Sequence, residues 1–167
     1  MGGIYNEKNR TVDDLRGCGY RGRVFVSSRT VGESDVFQFA GITGDFNELH
    51  TSEAFAESTP YGTRIVHGML TLAIANGLYV RIGIFKNSVF LGIDRWRFLK
   101  PVKIGDTICL RLLIEDKRET KDGKRGIIGM KYEVLNQKDE IVADGVLRRM
   151  VDKRGHRNES GRGIKNG

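Results

Sequence analysis

A chain of 167 residues with 39% hydrophobic and 29% charged side chains can bury a core and excludes the fibrous and disordered classes. Its 22 glycines against 2 prolines point to tight turns and close backbone approaches, not to a Pro/Ser-rich linker. The net charge of +7 suits a polyanionic small molecule as well as nucleic acid, and part of it lies in the tail, where Lys153, Arg154, Arg157, Arg162 and Lys165 face only Asp152 and Glu159.

The N-terminus lacks the apolar core of a secretory signal. Met1-Gly2-Gly3-Ile4-Tyr5-Asn6 lacks the hydroxyl residue that a myristoylation site wants at position six. Cys18 and Cys109 stand at no metal or redox spacing and read as free thiols in a reducing compartment. The expectation is a cytoplasmic protein. Its organisation reads as a polar lead-in over 1–19, one domain over 20–151, and a basic, disordered tail over 152–167.

Arg23–Ser28 has strand composition. Thr30 followed by Glu33 matches a capping box, and Val36, Phe37 and Ala40 continue at helical spacing, so a helix is predicted over about 32–43. Gly41 and Gly44 stand where it should stop, which puts Asp45 in a turn. Thr51-Ser52-Glu53 before Ala54, Phe55 and Ala56 predicts a short second helix ended by Pro60. Ile65 to Val80 carries no charged side chain if His67 is neutral, and shows no polar face. It is short for a membrane span and holds His67 and Asn76, so it reads as a helix buried on all sides. Gly77 within it suggests a close approach to a neighbour.

The period then changes. Phe90–Leu99, Ile108–Glu115, Arg125–Asn136 and Glu140–Val151 read as strands. They are divided by Pro101–Asp106, by the Asp122-Gly123 hairpin signal and by Gln137-Lys138-Asp139. With Arg23–Ser28 as a fifth strand, the fold class is α+β: a curled, mostly antiparallel five-stranded sheet around one long helix. Such a sheet leaves edges exposed, and a dimer that continues it across subunits is the expected remedy.

Two short stretches carry candidate chemistry. In Gly44-Asp45-Phe46-Asn47-Glu48-Leu49-His50, a carboxylate and an imidazole five residues apart could hold a water and pass a proton. On spacing alone the plainer account prevails: Asp45 closes an Asx turn and His50 caps the next helix. In His67-Gly68, the glycine falls at the head of the apolar helix. Its N–H has no helical partner there, and no Cβ blocks a ligand, which suits a thioester carbonyl turning into an enolate. The alternative is that Gly68 relieves crowding and His67 is a hydrogen-bonded core histidine. The three histidines, His50, His67 and His156, fall at no metal-ligand spacing, so no metal is expected. The basic tail lacks interleaved aromatics, so neither nucleic acid nor membrane is an expected partner.

Phe39–His50, Tyr61-Gly62 and Ile65–Leu70 together resemble the MaoC-like dehydratases, the (R)-specific enoyl-CoA hydratases of the hotdog fold. Arg97–Asp106 looks like that family's strand-and-turn signature, and Asn136 with Ala143-Asp144-Gly145 stands where its last strands are expected. The likeness covers about residues 20–150. It implies a hotdog fold with a homodimer, or a larger assembly of dimers, as the working unit. It implies catalytic Asp45 and His50, thioester-binding Gly68, and Asn47, His67 and Asn76 as candidate substrate-lining residues. The implied reaction is reversible syn addition of water to a trans-2-enoyl-CoA, with CoA as part of the substrate and no separate cofactor. Another short or branched acyl-CoA, thioester hydrolysis and non-catalytic acyl-CoA binding are the competing readings. The chain departs from the family at Glu48, where many members have Pro, and at Asn76, where some relatives carry a smaller hydroxyl residue.

Overall fold

The computed structural model describes residues 25–85 and 88–153. The lead-in over 1–19, Cys18, His156 and all but the first two residues of the tail lie outside them. In chain order the elements are β1 (Phe25–Thr30), α1 (Glu33–Thr43), α2 (Glu48–Thr51), α3 (Glu53–Glu57), α4 (Gly68–Ile82), β2 (Ser88–Phe98), β3 (Thr107–Glu119), β4 (Arg125–Leu135) and β5 (Ile141–Asp152). The five strands form one sheet in the order β1-β3-β4-β5-β2. Every pairing is antiparallel.

The core lies between this sheet and α4. Leu70, Ile74, Ala75, Leu78 and Tyr79 on one face of the helix join Leu110, Leu112, Met130, Tyr132, Val134 and Leu147 from the strands. Burial of each large aliphatic side chain contributes about 1.5–3 kcal/mol, so the helix is held mainly by this face. The expectation of burial on all sides fails. Met69 and Val80 are 59% and 65% exposed, and a Cβ on Gly77 would meet no atom of the described residues within 4 Å beyond its own helix backbone. A five-stranded sheet has one concave face, and within the described residues nothing covers the opposite side of α4. No described helix is long and apolar enough to cross a membrane.

The N-cap of helix α1 is Gly32, two residues beyond the expected Thr30. Thr30 is tied into the sheet through its hydroxyl contact with Thr107, 2.7 Å away, and cannot cap. Asp35 instead accepts the Gly32 N–H at 2.8 Å. Gly41 lies inside the helix. Gly44 ends it in the left-handed region, at φ 78°, and donates its N–H to Ala40 O at 2.7 Å. That reversal directs the chain into the loop that carries Asp45. The alternation expected along β2 is broken by two bulges, between Phe90 and Gly92 and between Ile93 and Arg95. Phe90, Leu91 and Ile93 all remain exposed as a result.

Candidate active site

The site is built where the loop after α1 meets the head of α4. Asn47 caps α2, its side-chain oxygen accepting the Leu49 N–H at 2.9 Å. This single helical turn, which sequence periodicity is too short to reveal, carries His50 on its third residue. His50 therefore lies within α2, and Ser52 caps the next helix by accepting the Phe55 N–H. A second strap holds the loop to the body: Ile65 N–H donates to Leu49 O at 3.3 Å, and Val66 N–H donates to Val102 O at 2.7 Å. Ile65 also bridges to Lys103. The extended Ile65-Val66 pair is why α4 starts at Gly68 and not at the beginning of the apolar run.

His50 Nδ1 lies 2.8 Å from Ile65 O. A carbonyl only accepts, so Nδ1 carries the proton and the neutral ring keeps its lone pair on Nε2. His67 is 1% exposed, and its Nε2 lies 2.9 Å from Asp45 O, so that ring is the opposite tautomer. The two imidazoles stack with centroids 3.9 Å apart. One carboxylate oxygen of Asp45 and one ring nitrogen from each of His50 and His67 lie within 4.8 Å of one another. The sequence spacing did not suggest this convergence, which also forms a three-ligand set of the kind that can hold a metal ion. His50 Nδ1 and His67 Nε2 are already committed to carbonyls.

A cleft of about 400 Å³ opens beside this group. Its walls include His50, Tyr61, Ile65, Gly68, Thr71, Phe98, Lys100 and Val142. Gly68 is the first residue of α4, and His67 is its N-cap, so the Gly68 N–H belongs to the unpartnered first turn, at the positive end of the dipole. A Cβ at Gly68 would come within 2.9 Å of the Phe98 ring. Asp45 is exposed and His50 half-buried, so solvent reaches the pair. Tyr61, Phe98 and Lys100 stand within the stretches that resemble the family but had no assigned role there, and Thr71 carried no functional signal in the sequence.

The other candidates fall elsewhere. Asn47 is a helix cap, and His67 sits behind His50, outside the cleft walls. Asn76 accepts a hydrogen bond from Arg149, a guanidinium only 4% exposed. That group also lies 3.9 Å from the Tyr79 ring centroid and donates to Ser88 Oγ at 3.3 Å. Asn76 satisfies a buried cation, which explains its presence on an apolar helix. Cys109 is a free thiol, and burial pushes its pKa up.

The sequence model of the MaoC-like domain matches residues 20–135. The chain is 32% identical over 124 residues to a 3-hydroxybutyryl-CoA dehydratase of Methylorubrum extorquens, covering 72% of this chain and 73% of that one. It is 36% identical over 94 residues to an (R)-specific enoyl-CoA hydratase of Aeromonas caviae, covering 56% and 69%. It is 37% identical over 89 residues to Protein MaoC of Klebsiella aerogenes, covering 53% of this chain but only 27% of that longer protein. Among solved structures, a monoamine oxidase regulatory protein from Archaeoglobus superposes with a TM-score of 0.79 at 33% identity, covering 90% of this chain and 99% of that one. A double-hotdog protein of Mycobacterium tuberculosis, at 20% identity and a TM-score of 0.70, covers 90% of this chain and 46% of its own. It matches in fold, and the fold of this chain is a hotdog.

Proposed function

This chain belongs to the MaoC-like domain family, and from that membership we propose that it is an (R)-specific enoyl-CoA hydratase. It adds water reversibly and syn across a trans-2-enoyl-CoA to give the (R)-3-hydroxyacyl-CoA. The observation that carries this reading is the approach of the Asp45 carboxylate to the His50 ring, beside a cleft that ends at the head of α4. Its relatives named as a 3-hydroxybutyryl-CoA dehydratase and an (R)-specific enoyl-CoA hydratase support the same chemistry.

The geometry suggests how the residues divide the work. The Asp45 carboxylate and the lone pair on His50 Nε2 are both acceptors. A water that donates one hydrogen to each bridges the two acceptors and turns its own lone pairs toward the substrate. As the oxygen attacks Cβ, one acceptor takes the proton, and the pair returns a proton to Cα. The enolate oxygen that forms between these events accepts the Gly68 N–H, which needs no reorganisation to meet it. CoA is the carrier within the substrate, so the chain uses no separate cofactor. The working unit is a homodimer joined along the exposed edge of β2.

The test is purified protein against a panel of 2-enoyl-CoAs, followed by loss of the conjugated enoyl absorbance and by product stereochemistry. Asp45→Asn lowers turnover by about 10²–10⁴-fold with an unchanged melting temperature, since Asp45 is exposed and, among the described residues, its carboxylate accepts only the Asn47 N–H, at 3.4 Å. Full activity of that variant, an (S) product, or release of free CoA in place of hydration each sinks the proposal.

A further inference from the structure

The residue in contact with every working part of the site is one the reaction does not itself use. His67 is buried, yet it makes three separate connections. Its Nε2–H donates to the backbone carbonyl of Asp45 at 2.9 Å. Its ring stacks on that of His50 at 3.9 Å, inclined by 32°. Its backbone is the N-cap of α4, accepting the Thr71 N–H at 3.0 Å, directly before Gly68. On a further contact its ring lies 5.1 Å from that of Phe39.

Asp45 has little else to hold it. Its N–H reaches Thr43 Oγ1 only at 3.3 Å. Phe46 and Glu48 on either side of Asn47 are exposed. The edge of the His50 ring is fixed by Ile65 O, but a hydrogen bond at one nitrogen leaves rotation about that bond, and a stacked face removes it. The remaining nitrogen, His67 Nδ1, is buried with no hydrogen-bond partner among the described residues. A phenylalanine would fill the same space without that desolvation cost. What phenylalanine lacks is the donor to Asp45 O.

We infer that His67 is a positioning residue that sets the separation of Asp45, His50 and the Gly68 N–H, holding the carboxylate by its backbone and the catalytic imidazole by its face. This rests on the hydratase reading of Asp45 and His50 and adds a role that reading does not require.

The experiment compares His67→Phe, which keeps the stacked ring and loses the donor, with His67→Gln, whose amide N–H replaces Nε2–H. Displacing a reacting group by about 1 Å costs on the order of 100-fold, so His67→Phe loses about that much kcat while KM stays within about threefold and the melting temperature is kept. His67→Gln recovers most of the loss. A purely structural His67 predicts the opposite ranking, with the well-packed phenylalanine the more active. Equal kcat for His67→Phe and the wild type, or no recovery in His67→Gln, overturns the inference. Imidazole ¹⁵N shifts of the unliganded wild type separate this from failure of the hydratase reading. Protons on His50 Nδ1 and His67 Nε2 support the arrangement even if no enoyl-CoA is turned over. Any other tautomer of His67 overturns it.

Discussion

Gly68 shows what a single residue position decides. Its place near the start of an apolar helix was legible from the residues around it, because the helix period and the absence of charge both appear in sequence. The ring against it was not, since Phe98 is 30 positions away on a strand. A methyl group at residue 68 would lie 2.9 Å from two Phe98 ring carbons, well inside the 3.5–4.0 Å of normal carbon packing. Phe98 is 50% exposed, so its ring can swing outward. Gly68→Ala is therefore expected to cost under about 1 kcal/mol in stability, below the usual range for overpacking. Its activity falls on the order of 100-fold, as for loss of an oxyanion donor, because the new Cβ and the displaced ring crowd the N–H. Thermal melting and steady-state hydration on the same preparation separate the two effects.

At the scale of elements, α2 decides how His50 is presented. Glu48 is its first residue and is exposed. Asn47 before it has φ −52° and ψ 133°, the extended conformation that a following proline requires. Proline is favoured at the first helical position, where its missing N–H costs nothing. Glu48→Pro is thus expected to raise stability by about 0.4–1 kcal/mol through the unfolded state while hydration persists, checked by denaturant titration and turnover. The glycine of Ala143-Asp144-Gly145 is decided at the same scale. Where β5 passes the second bulge of β2, a Cβ on Gly145 would come within 2.5 Å of Arg95 O and of the Trp96 ring. Sequence alone marks this glycine without saying what approaches it. The one-turn α2 escaped periodicity because four residues contain barely one period.

Across the whole molecule, carboxylates on β4, on β5 and in the turn between them set the response to acid. Burial pushes Glu133 up, but its hydrogen bonds from Lys131 and Arg111 outweigh this and hold it below its ordinary 4.5. The Arg97 hydrogen bonds lower Asp144, and Lys100 and Asn136 lower Glu140. Groups depressed in the folded state bind protons more readily when unfolded. Their stabilisation is complete above the ordinary carboxylate range and is lost as pH falls through the folded values. The melting temperature should hold level from about pH 7 to 5 and fall below about 4.5, and Glu133→Gln should lower it near neutrality and flatten the acid fall. Assembly belongs to the same scale. Strand β2 ends the sheet with Val89, Leu91 and Ile93 exposed, and an uncovered apolar edge invites a second copy. Sedimentation is expected to give twice the 18.8 kDa chain mass, and Leu91→Lys with Ile93→Lys to give the monomer mass with unchanged circular dichroism.

By itself the sequence determined the class of elements, because helix and strand periods are local. It determined the turn at Gly44 and the apolar run that must seek the core, because backbone freedom and hydrophobicity are properties of the residues present. It marked Asp45, His50 and Gly68 through their resemblance to a family, since spacing left the bland reading in front. Only the tertiary structure decided which nitrogen of each imidazole carries its proton, because carbonyls 15 and 22 residues away in sequence choose the tautomers. It alone placed His67 against the His50 ring and outside the cleft walls, and Asn76 against a buried arginine. Those assignments depend on distances between elements, and a buried polar group takes whichever partner the packing brings within reach.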